Sequence, residues 1–328
     1  MRRRLLGVFI ACVVAAVAIS AVAFGPAAFR NLASPNAPGG PNGPEPQVTS
    51  IDRPTWHAGD TWTYTVNTTS VGMRPMADGP SAVGSLTRTV VSVDASQANV
   101  SIAGSFHIRW MVDATPMAGA ADAAKMAVCN GMFENATLGG YTWYQTSDLA
   151  ILKEVRTLEV QGSSMTPMGT YVASYKAVVE TSFDPALKVW SFPLQANETW
   201  IASSNATIHA STHWQLTGPN VSWDVHSIFN AQVPVRLFLH SGEPETLTTP
   251  AGTFSAIPVG PGHPELDPSG APTDASADRA MGFDHEIPVR GDRASTAWFS
   301  GTAKNVVQSS VFTMGFRLTL TLTSYHLG

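Results

Sequence analysis

Thr61-Trp62-Thr63-Tyr64-Thr65-Val66 is the stretch from which the fold is read. In an extended chain successive side chains point to opposite faces, so Trp62, Tyr64 and Val66 share one side and the three threonines share the other. A helical period would mix the two sets. The same alternation returns in Phe316-Arg317-Leu318-Thr319-Leu320-Thr321-Leu322, in residues 90–93 and 99–102, and over the longer stretches 170–182, 200–214 and 223–229. Pro, Gly, Asn and Asp interrupt these runs at regular intervals, as turns do. The chain is expected to be mainly β, with antiparallel sheets covered on one face. An alanine-rich piece, residues 117–128, reads as a weak helix or a loop.

Short motifs recur along these strands. Gly59-Asp60-Thr61-Trp62 is echoed by Asn197-Glu198-Thr199-Trp200, and Trp143-Tyr144 with Asp148-Leu149 is echoed by Trp298-Phe299 with Ala303-Lys304. Two related β modules are expected from this duplication, residues 51–180 and 181–328. The second carries a Pro/Gly/Asp-rich excursion, residues 260–279, which reads as a surface loop. Trp62, Trp143, Trp200, Trp298 and Phe254 are expected in the core, because large aromatic side chains more often plug a sheet than offer a stacking platform.

Ahead of the strands, Arg2-Arg3-Arg4 precedes an apolar run over residues 5–24. Arginines retained on the cytoplasmic side and about 20 apolar residues describe an export segment. It reads as a retained membrane anchor, with signal cleavage after Ala23 as the alternative. Residues 1–25 are then the anchor or signal helix and residues 26–50 a Pro/Gly-rich stalk, and the localisation expected is a single-pass cell-membrane protein with its remainder outside, or a secreted one. Charged residues make up 13% of the chain and the net charge is -5, which gives no reason to expect nucleic acid. Cys12 lies in the apolar run, so Cys129 has no intrachain partner and the domain rests on its core. Six of the twelve asparagines, Asn67, Asn99, Asn135, Asn197, Asn205 and Asn220, stand in Asn-x-Ser/Thr sequons, consistent with an exported glycoprotein.

Phe192-Pro193-Leu194 through Thr199-Trp200, Pro250-Ala251-Gly252-Thr253-Phe254 with Ala256, and Trp298-Phe299-Ser300 through Ser324-Tyr325 together resemble a set of poorly characterised exported proteins, many archaeal. Those proteins are similar in turn to the LolA/LolB-like lipoprotein carriers of cell envelopes. The resemblance implies strongly curved, half-barrel-like sheets with an apolar concave face, and brings no catalytic residues. Asn197 departs from the pattern by replacing its usual turn glycine.

Chemical signatures are absent from the sequence. There is no G-x-S-x-G, C-x-x-C or phosphate-cradling loop, and His285-Glu286 lacks the second histidine of a zinc-protease motif. His209 and His213 share a face of one strand, with His226 across a hairpin, but residues four apart on a strand lie about 13 Å apart, too far to share an ion. They read as surface histidines. Asp267, Asp274, Asp278, Asp284, Glu286 and Asp292 lack the spacing of a calcium loop and read as solvated charge. No enzyme activity, cofactor or metal is expected. The function expected is extracytoplasmic binding of a lipid or other hydrophobic ligand on the concave face, with a structural or adhesive surface glycoprotein as the alternative.

Overall fold

The computed structural model describes residues 48–70, 81–109, 135–166, 169–219, 221–261, 296–313 and 316–328. Twelve strands form one antiparallel ring: β2 (Thr61–Ser70), β3 (Ser81–Val93), β4 (Gln97–Arg109), β5 (Asn135–Gln145), β6 (Ile151–Thr166), β7 (Gly169–Leu187), β9 (Thr199–Gly218), β10 (Val221–Ser241), β12 (Gly252–Pro261), β13 (Thr296–Ser300), β14 (Asn305–Thr313) and β15 (Phe316–His326). Each bonds to its neighbour in chain order, β15 returns to β2, and β10 joins β12, so the barrel is closed and up-and-down. Short β1 (Ser50–Ile51) pairs with β8 (Leu194–Gln195), and β11 (Glu245–Thr249) forms a hairpin with β12.

Alternation builds the wall. Along β2, Trp62, Tyr64 and Val66 are buried inside, and along β15 Leu318, Leu320 and Leu322 do the same. Outward positions carry Thr65 and Asn67 on β2, Ser105 and His107 on β4, and Asn205, His209 and Ser211 on β9, all exposed. Other outward positions are apolar, with Val83, Tyr141, Val172, Ile201 and Ile228 all exposed. On β12 the residues from Phe254 to Gly260 are buried without alternation. The segment from Val48 covers this strand on the outside, where the Val48 N–H donates to Ser255 Oγ at 3.2 Å.

Mainly β holds, but two half-barrel-like sheets do not: the expected division after residue 180 falls inside β7, a 19-residue strand bonded to β6 on one side and β9 on the other. The reason is physical. A two-stranded edge of a half-barrel leaves a row of backbone groups unpaired, and closure of the ring removes such edges.

Five pairings carry register shifts, β2–β15, β3–β4, β5–β6, β6–β7 and β13–β14, and all of them lie near one end of the barrel. This end, the base, also holds the turns at residues 94–96, 146–150 and 301–304. Bulges sharpen the local bend and twist of a strand. The anchor helix, the stalk up to residue 47, residues 117–128, nearly all of the excursion 260–279 and the six acidic residues named above lie outside the described residues.

Candidate functional site

Three places bring polar or aromatic groups together: the barrel interior, a groove under the base, and the outer face of the β9–β10 hairpin. At the base, the turn after β13 folds across the barrel mouth and offers carbonyls to inward aromatic residues. Trp62 Nε1 donates to the Ala303 carbonyl at 2.7 Å, Trp56 Nε1 to Lys304 at 2.9 Å and the Tyr64 hydroxyl to Val306 at 2.9 Å. Trp56 packs edge-on against Tyr144, with ring centres 5.2 Å apart, and Trp190 and Phe192 close on Phe299 from the other side. Lys304 takes a φ of 53°, which bends this turn so that its carbonyls face inward.

Charge is buried behind the aromatic seal. Arg88 donates to Asn305 Oδ1 at 3.1 Å and to the Tyr144 hydroxyl at 2.7 Å. Burial pushes the Tyr144 hydroxyl up to about 12, with the Arg88 guanidinium opposing the shift, and it raises Tyr64 in the same way. Both phenols therefore stay protonated, Tyr64 donating to Val306 and Tyr144 accepting from Arg88. Further along, Arg156 bonds Glu154 Oε1 at 2.9 Å, Thr142 Oγ1 at 2.6 Å and the Tyr141 carbonyl at 2.7 Å. Burial raises the Glu154 carboxyl, and Arg156 offsets part of that rise. The cavity between Trp56, Arg88, Tyr144 and Asn305 measures about 10 Å³, room for about one water. These groups leave no space for a substrate, and Asn305 Nδ2 is buried there without a hydrogen-bond partner among the described residues.

Beneath the base an open groove of about 340 Å³ runs between residues 48–54 and the 301–304 turn. Its cations are already engaged: Lys304 Nζ donates to the Thr55 carbonyl at 3.1 Å, and Arg53 to the Thr146 carbonyl.

On the outer wall, β9 and β10 form a hairpin whose register sets Gly218 opposite Val221 and His213 opposite His226. The two imidazole rings stack 3.7 Å apart at 19°. Asp224, two residues from His226 on the same face, brings Oδ1 to 2.8 Å from His213 Nε2 and 3.3 Å from His226 Nε2. Gln215 Nε2 holds the other carboxylate oxygen at 3.0 Å. These hydrogen bonds from Gln215 and His213 keep Asp224 below the usual carboxylate range. His209 stands apart, bonded to Asn230 Oδ1 at 2.7 Å.

Among the residues singled out from sequence, Trp62 and Phe254 are buried, whereas Trp200 and Trp298 are half-buried against the core. Trp143 points outward, its ring under Lys153 Nζ at 5.7 Å, because Thr142 and Tyr144 take the inward positions of β5. Asn67, Asn135, Asn197 and Asn205 are exposed, Asn99 is half-buried and Asn220 lies outside the described residues. Asn197 adopts a φ of 60°, so asparagine makes the turn that glycine was expected to make. Asp224 was missed. Reading Pro219-Asn220 as a two-residue hairpin loop places His213 opposite His226, and the carboxylate two positions away then falls beside both.

No protein-family model matches the chain, and no curated protein matches it significantly.

Proposed function

We propose that the chain is a membrane-tethered, extracytoplasmic structural or adhesive surface module whose contacts are made by its outer wall and glycans, with no hydrophobic cargo inside. The tether rests on Arg2-Arg3-Arg4 and the apolar run of residues 5–24, and the glycans on the exposed sequons. The observation that carries the reading is the packed base end of the interior. Binding sites for small molecules occupy about 300–1,000 Å³, while the space behind the aromatic seal is about 10 Å³. The hydrophobic-carrier reading requires that space, and the base end of the interior is packed with aromatic, aliphatic and ion-paired side chains, while Val225 and Phe229 on the inward face of β10 are exposed farther from the base.

Native mass spectrometry tests this. Protein released from intact cells by proteolysis at the stalk, and kept free of detergent, is expected to carry the mass of polypeptide and glycan alone. A lipid retained at one molecule per chain overturns the reading.

A further inference from the structure

We propose that His213, Asp224 and His226 form a binding site for a borderline divalent transition ion of the Zn²⁺ class, with a coordination position left open to solvent. The three ligand atoms lie within 4.8 Å of one another, and both imidazole Nε2 atoms converge on a single carboxylate oxygen. Around a tetrahedral Zn²⁺, with ligand bonds of about 2.0–2.2 Å, neighbouring ligand atoms stand roughly 3.4 Å apart. The separations of 2.8 and 3.3 Å to Asp224 are close to that span, and the stacked imidazoles, 31 and 70% exposed, must rotate apart so that both Nε2 lone pairs meet the ion in their ring planes.

The surroundings fit the same purpose. Gln215 fixes the far oxygen of Asp224 at 3.0 Å, the outer-shell support that orients a ligating carboxylate. His213 and His226 are cross-strand partners on a hairpin paired over its whole length, so their backbones are already placed. Ligation through Nε2 leaves the ring proton on Nδ1 of each histidine. Two nitrogens and one oxygen select an ion of the Zn²⁺, Ni²⁺ or Cu²⁺ type over Ca²⁺, which takes six to eight oxygens. Lys176, opposite His213 on β7, is the neighbouring cation, and Glu159 holds its Nζ at 2.6 Å. The side chains of His213, Asp224 and His226 are 31, 56 and 70% exposed, so an ion enters from solvent without any opening of the barrel. A bound ion cross-links two of the longest strands, independently of whether the interior carries a ligand.

The test uses the full-length chain without a histidine tag, stripped by chelator dialysis and titrated with Zn²⁺ calorimetrically, with Co²⁺ absorption in the visible as a report on ligand geometry. His226→Thr and Asp224→Asn preserve strand character and are expected to weaken the Zn²⁺ event by about tenfold or more, because each removes a direct ligand. His209→Thr, on the same face but outside the triad, is expected to leave the event unchanged. Absence of a saturable Zn²⁺ event in the parent chain, an unchanged event in His226→Thr, or an equal loss in His209→Thr overturns the site.

Discussion

Trp62 and Trp143 stand in similar Thr-rich surroundings in the sequence, yet the barrel separates them, and truncating each gives opposite expectations. Trp62 has no solvent exposure and donates to the Ala303 carbonyl at 2.7 Å. Trp62→Ala removes a large buried side chain at a cost of about 3–5 kcal/mol. It also leaves a buried carbonyl without its donor, which adds about 1 kcal/mol or more. Together these approach the whole stability of a typical domain, about 5–15 kcal/mol, and shift the melting temperature by roughly 2–4 °C per kcal/mol. A fall of roughly 10–20 °C is expected. Trp143→Ala loses a half-exposed ring and a cation–π contact of about 0.5–1 kcal/mol, so its melting point should move by only a few degrees. Trp62→Phe, which keeps most of the volume, isolates the hydrogen bond and should fall between them. Calorimetry and urea titration of the three variants against the parent read these differences directly. Equal losses at Trp62 and Trp143, or a larger loss at Trp143, would refute the assignment of inside and outside and with it the packed base end of the interior.

Gly140→Ala should be severely destabilising, by about 3 kcal/mol or more, since the glycine has a φ of 145° and an added Cβ would sit 1.9 Å from the Val155 carbonyl oxygen; wild-type melting would contradict this. The buried Glu154 carboxyl binds its proton more tightly in the folded chain than in the unfolded one, so its contribution to stability falls as pH rises from the unfolded value of 4.5 through the raised folded value. Urea midpoints of the parent relative to Glu154→Gln should therefore decline with pH across that window, and a rising difference would show the carboxylate to be stabilised instead. Asp94 accepts from the Ser96 N–H and hydroxyl and the Gln97 N–H, which lower its carboxyl, so the turn's contribution is present above the unfolded value and lost as pH falls through the folded one. NMR titration of its side-chain carboxyl carbon should give a midpoint below that of an unstructured aspartate, and Asp94→Ala should abolish the protection of the Gln97 amide.

Strand identity was legible in residues 61–66 and 316–322 because period two is a local property. Direction was also legible in principle at Trp143: Ala136 and Leu138 face inward, so even-numbered residues of β5 do, but Gly139-Gly140 breaks the apolar pattern that would have carried this parity forward. Closure was not legible. The repeated Gly-Asp-Thr-Trp and Asn-Glu-Thr-Trp motifs mark strand starts at the base, and a strand start looks the same in one large ring as in two small sheets. The triad was half visible. His213 and His226 were noted, the latter across a hairpin, but were weighed by the prohibitive spacing of His209 and His213 along one strand, while the place of Asp224 beside both depends on the register of the turn.

The seam between β2 and β15 sets an order of events for a chain made from its N-terminal end. Thr61 bonds opposite His326, and the Gly328 N–H reaches back 268 residues to Asp60. If the N-terminal end emerges first, β2 waits with one edge bare until the final strand has crossed, however quickly the intervening hairpins form. Contacts so distant in sequence are also the slowest to make. A chain stopped part-way through its synthesis would thus present β2 as an unfinished margin, visible to proteases and folding helpers, and the last hydrogen bonds to form would certify that the ring had closed.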